Sequence, residues 1–275
     1  MGVELFSWLI ILTFFSLYGV LSGMELGVAI TRIEPRLAPA EQARRMFTPR
    51  LEVTNVLLVL GALGLFWMFN SAAVVIVREM WPVLALGLLA LVLRAGLLTY
   101  LVLSKSTPGG QLLNYLFALV SFVVPLTLGA AGIYMATGVP FWQGGVGATL
   151  FASLVVGLLA LGAGFIYYVG GNKAPLGVVL VCRLSNIALA GILAIVLLMV
   201  LSGDSSHLLS LPYAYLAVIA AGIVLMQSAF MAANREWRMW WCMAALAVLA
   251  PFLMGLANYP YLIFPEVMIR ASFAM

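Results

Sequence analysis

Charge is scarce in this chain. Asp, Glu, Lys and Arg make up 8% of its 275 residues, against 65% hydrophobic, and the mean hydropathy is +1.17. A water-soluble domain carries about 25% charged residues. No globular core of this size could hide so much apolar surface, so the solvent must be lipid. Histidine is scarcer still: His207 is the only one, close to Asp204 in a polar stretch. Haem held inside a helix bundle takes axial ligands, most often His, from the helices, so a bis-His haem site is excluded. The two cysteines, Cys182 and Cys242, lie within apolar runs and read as buried free thiols that say little about redox compartment. No Cys/His cluster has metal-ligand spacing, and neither a P-loop nor a dinucleotide-binding glycine fingerprint occurs. Gly144-Gly145-Val146-Gly147 reads as a turn. The net charge of +4 comes without a Lys/Arg run interleaved with aromatics, which argues against nucleic acid. The start, Met1-Gly2-Val3-Glu4, has no basic n-region, and the apolar run after it is too long for a cleaved signal. No loop is long enough to hold an extramembrane catalytic unit, and no internal repeat is visible.

What is present is a series of long apolar runs, which predicts an all-α, polytopic membrane protein. About eight spans reach the ~20 residues needed to cross the hydrocarbon: 5–31, 52–77, 82–104, 112–137, 147–170, 175–201, 210–233 and 239–259. They divide naturally into two four-helix bundles, residues 1–138 and 139–275. Trp81-Pro82 reads as a helix start, where a missing N–H costs nothing. Thr107-Pro108-Gly109-Gly110 and Gly170-Gly171-Asn172-Lys173 read as turns. Pro125 and Pro251 fall inside spans and predict kinks. Arg32, Arg36, Arg44, Arg45, Arg50, Lys105, Lys173, Arg235 and Arg238 fall in the loops after the first, third, fifth and seventh spans, with Arg183 just inside the sixth. The opposite side has only Arg78 and Arg270. The positive-inside rule then places the 32–50 loop in the cytoplasm and both termini outside. Trp237, Trp240 and Trp241 flank Arg238 as interfacial anchors would.

Against this apolar background the polar residues stand out. Glu25 is the only charged residue between Leu5 and Ile30, and an acid at mid-membrane costs roughly 2.5–3.5 kcal/mol on the insertion scale. Helical periodicity places Tyr18, Ser22 and Glu25 together on one face. Gly19, Gly23 and Gly27 form a small-residue ridge on nearly the opposite face, which permits close helix approach. Two readings of Glu25 stand open: a bond to a neighbouring helix, or a part in proton or cofactor electrostatics. Glu52 follows Arg50 at the expected start of the second span. There an acid can simply complement the helix dipole, or, with Thr48, Thr54 and Asn55, it can form a hydrated point of access. Arg94 sits at the middle of the third span and needs an acid or a carbonyl cluster as mate, Glu25 or an acid on a partner being the candidates. Asn70, Ser71 and Asn186 read as interhelical hydrogen bonders.

The order of these motifs resembles subunit II of cytochrome bd-type quinol oxidases. The family's first helix ends in G-F-D-F-G-V-G, and here the region reads Ser22-Gly23-Met24-Glu25-Leu26-Gly27-Val28. The family's basic R-R-x-M loop and P-x-W-D-G-N-E-V-W block correspond to Arg44-Arg45-Met46 and to Pro49-Arg50-Leu51-Glu52-Val53-Thr54-Asn55-Val56-Leu57. Its R-G-x-x-F-E-F-R stretch corresponds to Arg94-Ala95-Gly96 and onward, with Thr99 in place of the acid. The G-S-F-V-P-P and G-x-P-F stretches correspond to Ser121-Phe122-Val123-Val124-Pro125 and Gly138-Val139-Pro140-Phe141, and F-P-x-x-x-P to Tyr259-Pro260 through Pro265. Both tryptophans of the block are leucine here, both acids are Glu in place of Asp, and the family's further C-terminal helix has no counterpart.

The resemblance implies a haem-free membrane subunit of a respiratory quinol oxidase in the prokaryotic cytoplasmic membrane. It implies a haem-bearing subunit I as partner, with haem b and haem d there and none on this chain, and it leaves room for a structurally held quinone. It also implies a proton path from the cytoplasm, mapping by position onto Glu52, with Glu25 and Asn55. The alternative is a proton-coupled small-molecule transporter, motivated by the same acids and by the proline kinks.

Overall fold

A computed structural model describes residues 3–33, 40–103, 110–171, 174–202, 212–234, 238–257, 261–263 and 267–269. Eight helices run through these residues, α1 (Val3–Ile33), α2 (Ala40–Met68), α3 (Asn70–Leu103), α4 (Gly110–Thr137), α5 (Gly145–Gly170), α6 (Leu176–Leu201), α7 (Pro212–Ala233) and α8 (Arg238–Ala257). Five of them, α1 and α3–α6, are long and apolar enough to cross a membrane, and apolar stretches of α2, α7 and α8 are shorter among the described residues. The protein is an all-α integral membrane protein.

Helix α1 is the centre of the packing. It lies against α2, α4, α5 and α8, whereas α3 packs mainly on α4, and α6 on α5 and α7. Most of α3 and α6 therefore faces outward, while α1, α4 and α5 bury about half of their apolar spans. Hydrophobicity cannot drive one helix onto another in lipid, so close backbone approach has to. The ridge on α1 supplies it in part. A Cβ on Gly27 would lie 2.7 Å from the Gly162 carbonyl oxygen of α5, and one on Gly23 would lie 2.6 Å from Leu161 Cβ, whereas Gly19 meets nothing within 4 Å. At the end of α5 Gly171 takes φ 53°, a left-handed conformation suited to glycine, and its N–H caps the Tyr167 carbonyl.

Two boundaries differ from the sequence expectation. Helix α2 begins at Ala40, well before residue 52, and ends at Met68, not 77. Helix α3 then runs from Asn70 straight through Pro82. The break sits at Phe69, which is fully buried and meets Trp8 edge-on at 6.0 Å. Residues Ala72, Ala73, Ile76 and Met80 join a core with Trp8, Ile11 and Leu12, and this burial holds the start of α3 helical. Pro82 is tolerated because the carbonyl it leaves without a donor belongs to Arg78, whose side chain is 84% exposed. Asn70 and Ser71 are consequently exposed on the first turn of α3, with no bond to another helix among the described residues. The other boundaries fall within about two residues of expectation.

Two smaller corrections concern the ends of the chain. Trp240 does not anchor at an interface; it is buried, edge-on to Phe165 at 6.3 Å and 5.4 Å from the ring of Tyr168. Trp241 is exposed and Trp237 lies outside the described residues. After α8 the chain forms an unexpected antiparallel pair, β1 (Tyr261–Ile263) with β2 (Val267–Met268), in register Tyr261↔Met268 and Ile263↔Val267. Leu262 and Ile263 of β1, with Ile269 just after β2, close the core around Trp8 and Tyr134. Cys182 is a buried and Cys242 a half-buried free thiol.

Candidate functional site

The polar face of α1 points into the angle between α2, α3 and α4. Tyr18 packs there with Leu58 of α2, Ala90 of α3, and Val120 and Val124 of α4. One α1 turn from Tyr18, Ser22 donates its hydroxyl to the Gly19 carbonyl at 2.8 Å, so it is satisfied within its own helix. One turn further, Glu25 is completely buried.

Arg94 reaches Glu25 from α3. Its Nη1 donates to Glu25 Oε2 at 2.5 Å, and its Nη2 donates to Asn55 Oδ1 of α2 at 2.5 Å. Arg94 is itself 2% exposed. Thr54, also fully buried, has its hydroxyl beside the same carboxylate. One guanidinium thus ties three helices through residues far apart in sequence. Its planar fork suits it to two acceptors at once, which a lysine ammonium could not reproduce. Each charge supplies the counter-ion that the other needs away from water, and removing either would strand its mate. The grip on the acid is one-sided: Glu25 Oε1 is buried without a hydrogen-bond partner among the described residues, and the Tyr18 hydroxyl lies beside Arg94.

The structure therefore brings together Glu25, Arg94 and Asn55. Glu52 stands in α2 as a backbone position, but its side chain lies outside the described residues, as do His207 and Asp204. Because α2 begins at Ala40, position 52 is well inside the helix, and the dipole of a first turn does not account for an acid there. Asn186 is buried in α6 and donates to the Cys182 carbonyl at 2.9 Å and to Met243 Sδ of α8 at 3.5 Å.

The family model for cytochrome bd terminal oxidase subunit II matches residues 3–275. The chain belongs to that family. Among solved structures, the bd oxidase from Geobacillus thermodenitrificans is similar in fold, with a TM-score of 0.79 at 15% identity over 100% of this chain and 90% of that chain. No curated protein matches in sequence. As a member of the subunit II family, the chain belongs with the membrane subunits of respiratory oxidases. Among the described residues the polar groups gathered at its centre are the Arg94 guanidinium, the Glu25 carboxylate, the Asn55 amide and the Thr54 hydroxyl.

Sequence reasoning singled out no role for Ser121 of α4, which is fully buried with its hydroxyl unpartnered among the described residues. The available signal was Pro125, four residues on. A proline there gives no N–H to the Ser121 carbonyl, which marks that turn of α4 as polar.

Proposed function

We propose that this chain is the haem-free membrane subunit of a bd-type quinol oxidase complex. It supports a haem-bearing subunit I, where haem b and haem d sit and quinol is oxidised, and gives protons a way in from the cytoplasmic face. The observation that carries the reading is the buried Arg94–Glu25–Asn55 cluster inside a chain of this family. An intramembrane acid with a fixed counter-ion can hold charge at a defined depth, and an acid on the cytoplasmic side of it can feed it. Glu52 and Asn55 are three residues apart on α2, a spacing that places both positions on one face. In this reading Glu52 takes protons up, Asn55 and the Arg94 fork carry polarity inward, and Glu25 is the inner titrating group.

The same reading divides the chain into two four-helix bundles, residues 1–138 and 139–275, with α1 shared at their contact. It puts both termini outside and residues 32–50 on the cytoplasmic side. It also leaves a structural quinone and the surrounding lipid as small-molecule partners. The deciding experiment is to purify the complex and record its reduced-minus-oxidised optical spectrum together with quinol oxidase turnover, for wild type and Glu52→Gln. Haem bands on a co-purifying partner and turnover lowered at least tenfold by Glu52→Gln are expected, in line with the loss of a proton-transfer group. A preparation with no haem-bearing partner overturns the assignment, and full turnover in Glu52→Gln overturns the proton path.

A further inference from the structure

A guanidinium buried in a membrane protein needs acceptors in every state of its surroundings, because a stranded charge there is costly. It carries five N–H donors, and the bonds to Glu25 and Asn55 account for two of those on Arg94. The Tyr18 hydroxyl lies beside Arg94, is buried, and has no hydrogen-bond partner among the described residues. Its ring holds it there. Tyr18 is 2% exposed and packs against Leu58 of α2 and Ala90 of α3, and against Val120 and Val124 of α4. Leu58 stands three residues after Asn55, and Ala90 four before Arg94. At those spacings each contact lies one helical turn from a member of the cluster, on the same face of its helix. The phenol is thus a fixed and unused acceptor next to the guanidinium. The other helices packed on α1 offer Arg94 no second counter-ion: α4 and α5 contain no charged residue, and α8 only Arg238 at its first position.

We propose that Tyr18 is the positioning residue that keeps Arg94 in place while Glu25 is protonated. This deepens the proton path and rests on Glu25 being its inner titrating group. With Glu25 ionised, the carboxylate holds Nη1 of Arg94 and the phenol stands beside it. When a proton neutralises the carboxylate, Arg94 loses its counter-ion. The guanidinium then donates to the Tyr18 oxygen and keeps its bond to Asn55, so it remains at the depth where the acid meets it again on losing the proton. Without the hydroxyl the guanidinium would turn away in that interval, and Glu25 would reionise without an aligned counter-ion. Tyr18 itself neither gives nor takes the proton.

The test uses the intact complex with its partner subunit. Tyr18→Phe removes the hydroxyl and keeps the ring, and Glu25→Gln fixes the acid in a neutral form. Thermal unfolding is compared for wild type, the two single variants and the double variant. Tyr18→Phe is expected to lower the unfolding temperature by about 2–4 °C more in the Glu25→Gln background than in wild type, the size set by one net hydrogen bond. A ring that only packs gives the same loss in both backgrounds, and that result overturns the proposal. Turnover supplies a second readout: Tyr18→Phe is expected to lower kcat about threefold to tenfold with KM for quinol unchanged, because the quinol site is on the partner. An unchanged kcat also overturns the proposal. Full turnover in Glu52→Gln, with the extra loss in the double variant still present, overturns entry through Glu52 and leaves the hold of Tyr18 on Arg94 standing, so the two ideas fail separately.

Discussion

At the scale of single residues the decisive arrangement is one arginine shared by an acid and an amide. Breaking a buried pair by removing one member costs about 3–5 kcal/mol, whereas removing both can be close to neutral. Arg94→Met is therefore expected to lower the thermal unfolding temperature of the purified complex sharply, and Arg94→Met with Glu25→Gln to recover much of the loss. Fluorescence-detected unfolding of the two single variants and the double variant checks this as a double-mutant cycle. Additive effects would mean that the 2.5 Å contact contributes no coupling. Arg94→Lys should fall between, because an ammonium cannot serve Glu25 and Asn55 in one plane.

At the scale of elements, the α1–α5 contact depends on glycines that face backbone. Gly27→Ala would push a methyl to 2.7 Å from the Gly162 carbonyl, which cannot swing aside as a side chain can. A loss of about 1–3 kcal/mol is expected, read as a lower detergent-unfolding temperature. Gly19→Ala, with nothing within 4 Å, should leave that temperature unchanged. Most elements were legible in the sequence for a plain reason: an apolar run of spanning length bounded by Gly, Pro or charge leaves few alternatives. The α2–α3 boundary was not, because the marked breaker, Pro82, sits inside a helix while the real break falls at Phe69, which carries no breaking chemistry. Phe69 there donates to the Leu65 carbonyl and accepts from the Ala73 N–H while its ring meets Trp8, and no local pattern announces the boundary. The β1–β2 pair was invisible for the same reason, since its few residues are held by burial against α1 and α4. At the site, periodicity placed Tyr18 and Glu25 on one face and offered Glu25 as a mate for Arg94. Asn55 as the second acceptor, and the burial of Ser121, depended on how α2 and α4 rotate about their axes.

At the scale of the whole molecule the prediction concerns sidedness. In the proposed orientation the basic residues between 32 and 50 and those after α3, α5 and α7 would lie on the cytoplasmic side. Single cysteines at Arg45 and Arg78, in a chain whose Cys182 and Cys242 are replaced by Ala, are expected to label from opposite sides of intact cells with a membrane-impermeant maleimide. Arg78 suits the outer probe because its side chain is 84% exposed. Labelling of both positions from one side would reverse the assignment. Reconstituted without its partner, the chain is expected to give no proton-coupled solute uptake in liposomes; such uptake would favour the transporter alternative.

The pairing of Glu25 with Arg94 spans 69 residues, and this sets an order of events during synthesis. At about 5–20 residues per second, roughly 3–14 s separate the emergence of the acid from that of its counter-ion. For that interval α1 carries an acid whose counter-ion has not yet been made, and its insertion is expected to be less favourable until α3 follows. A nascent chain arrested before α3 should therefore insert α1 poorly and be rescued by Glu25→Gln, measured by glycosylation-site or protease accessibility in microsomes. The full chain should gain nothing from the same change. The helix made first is thus among the last to settle.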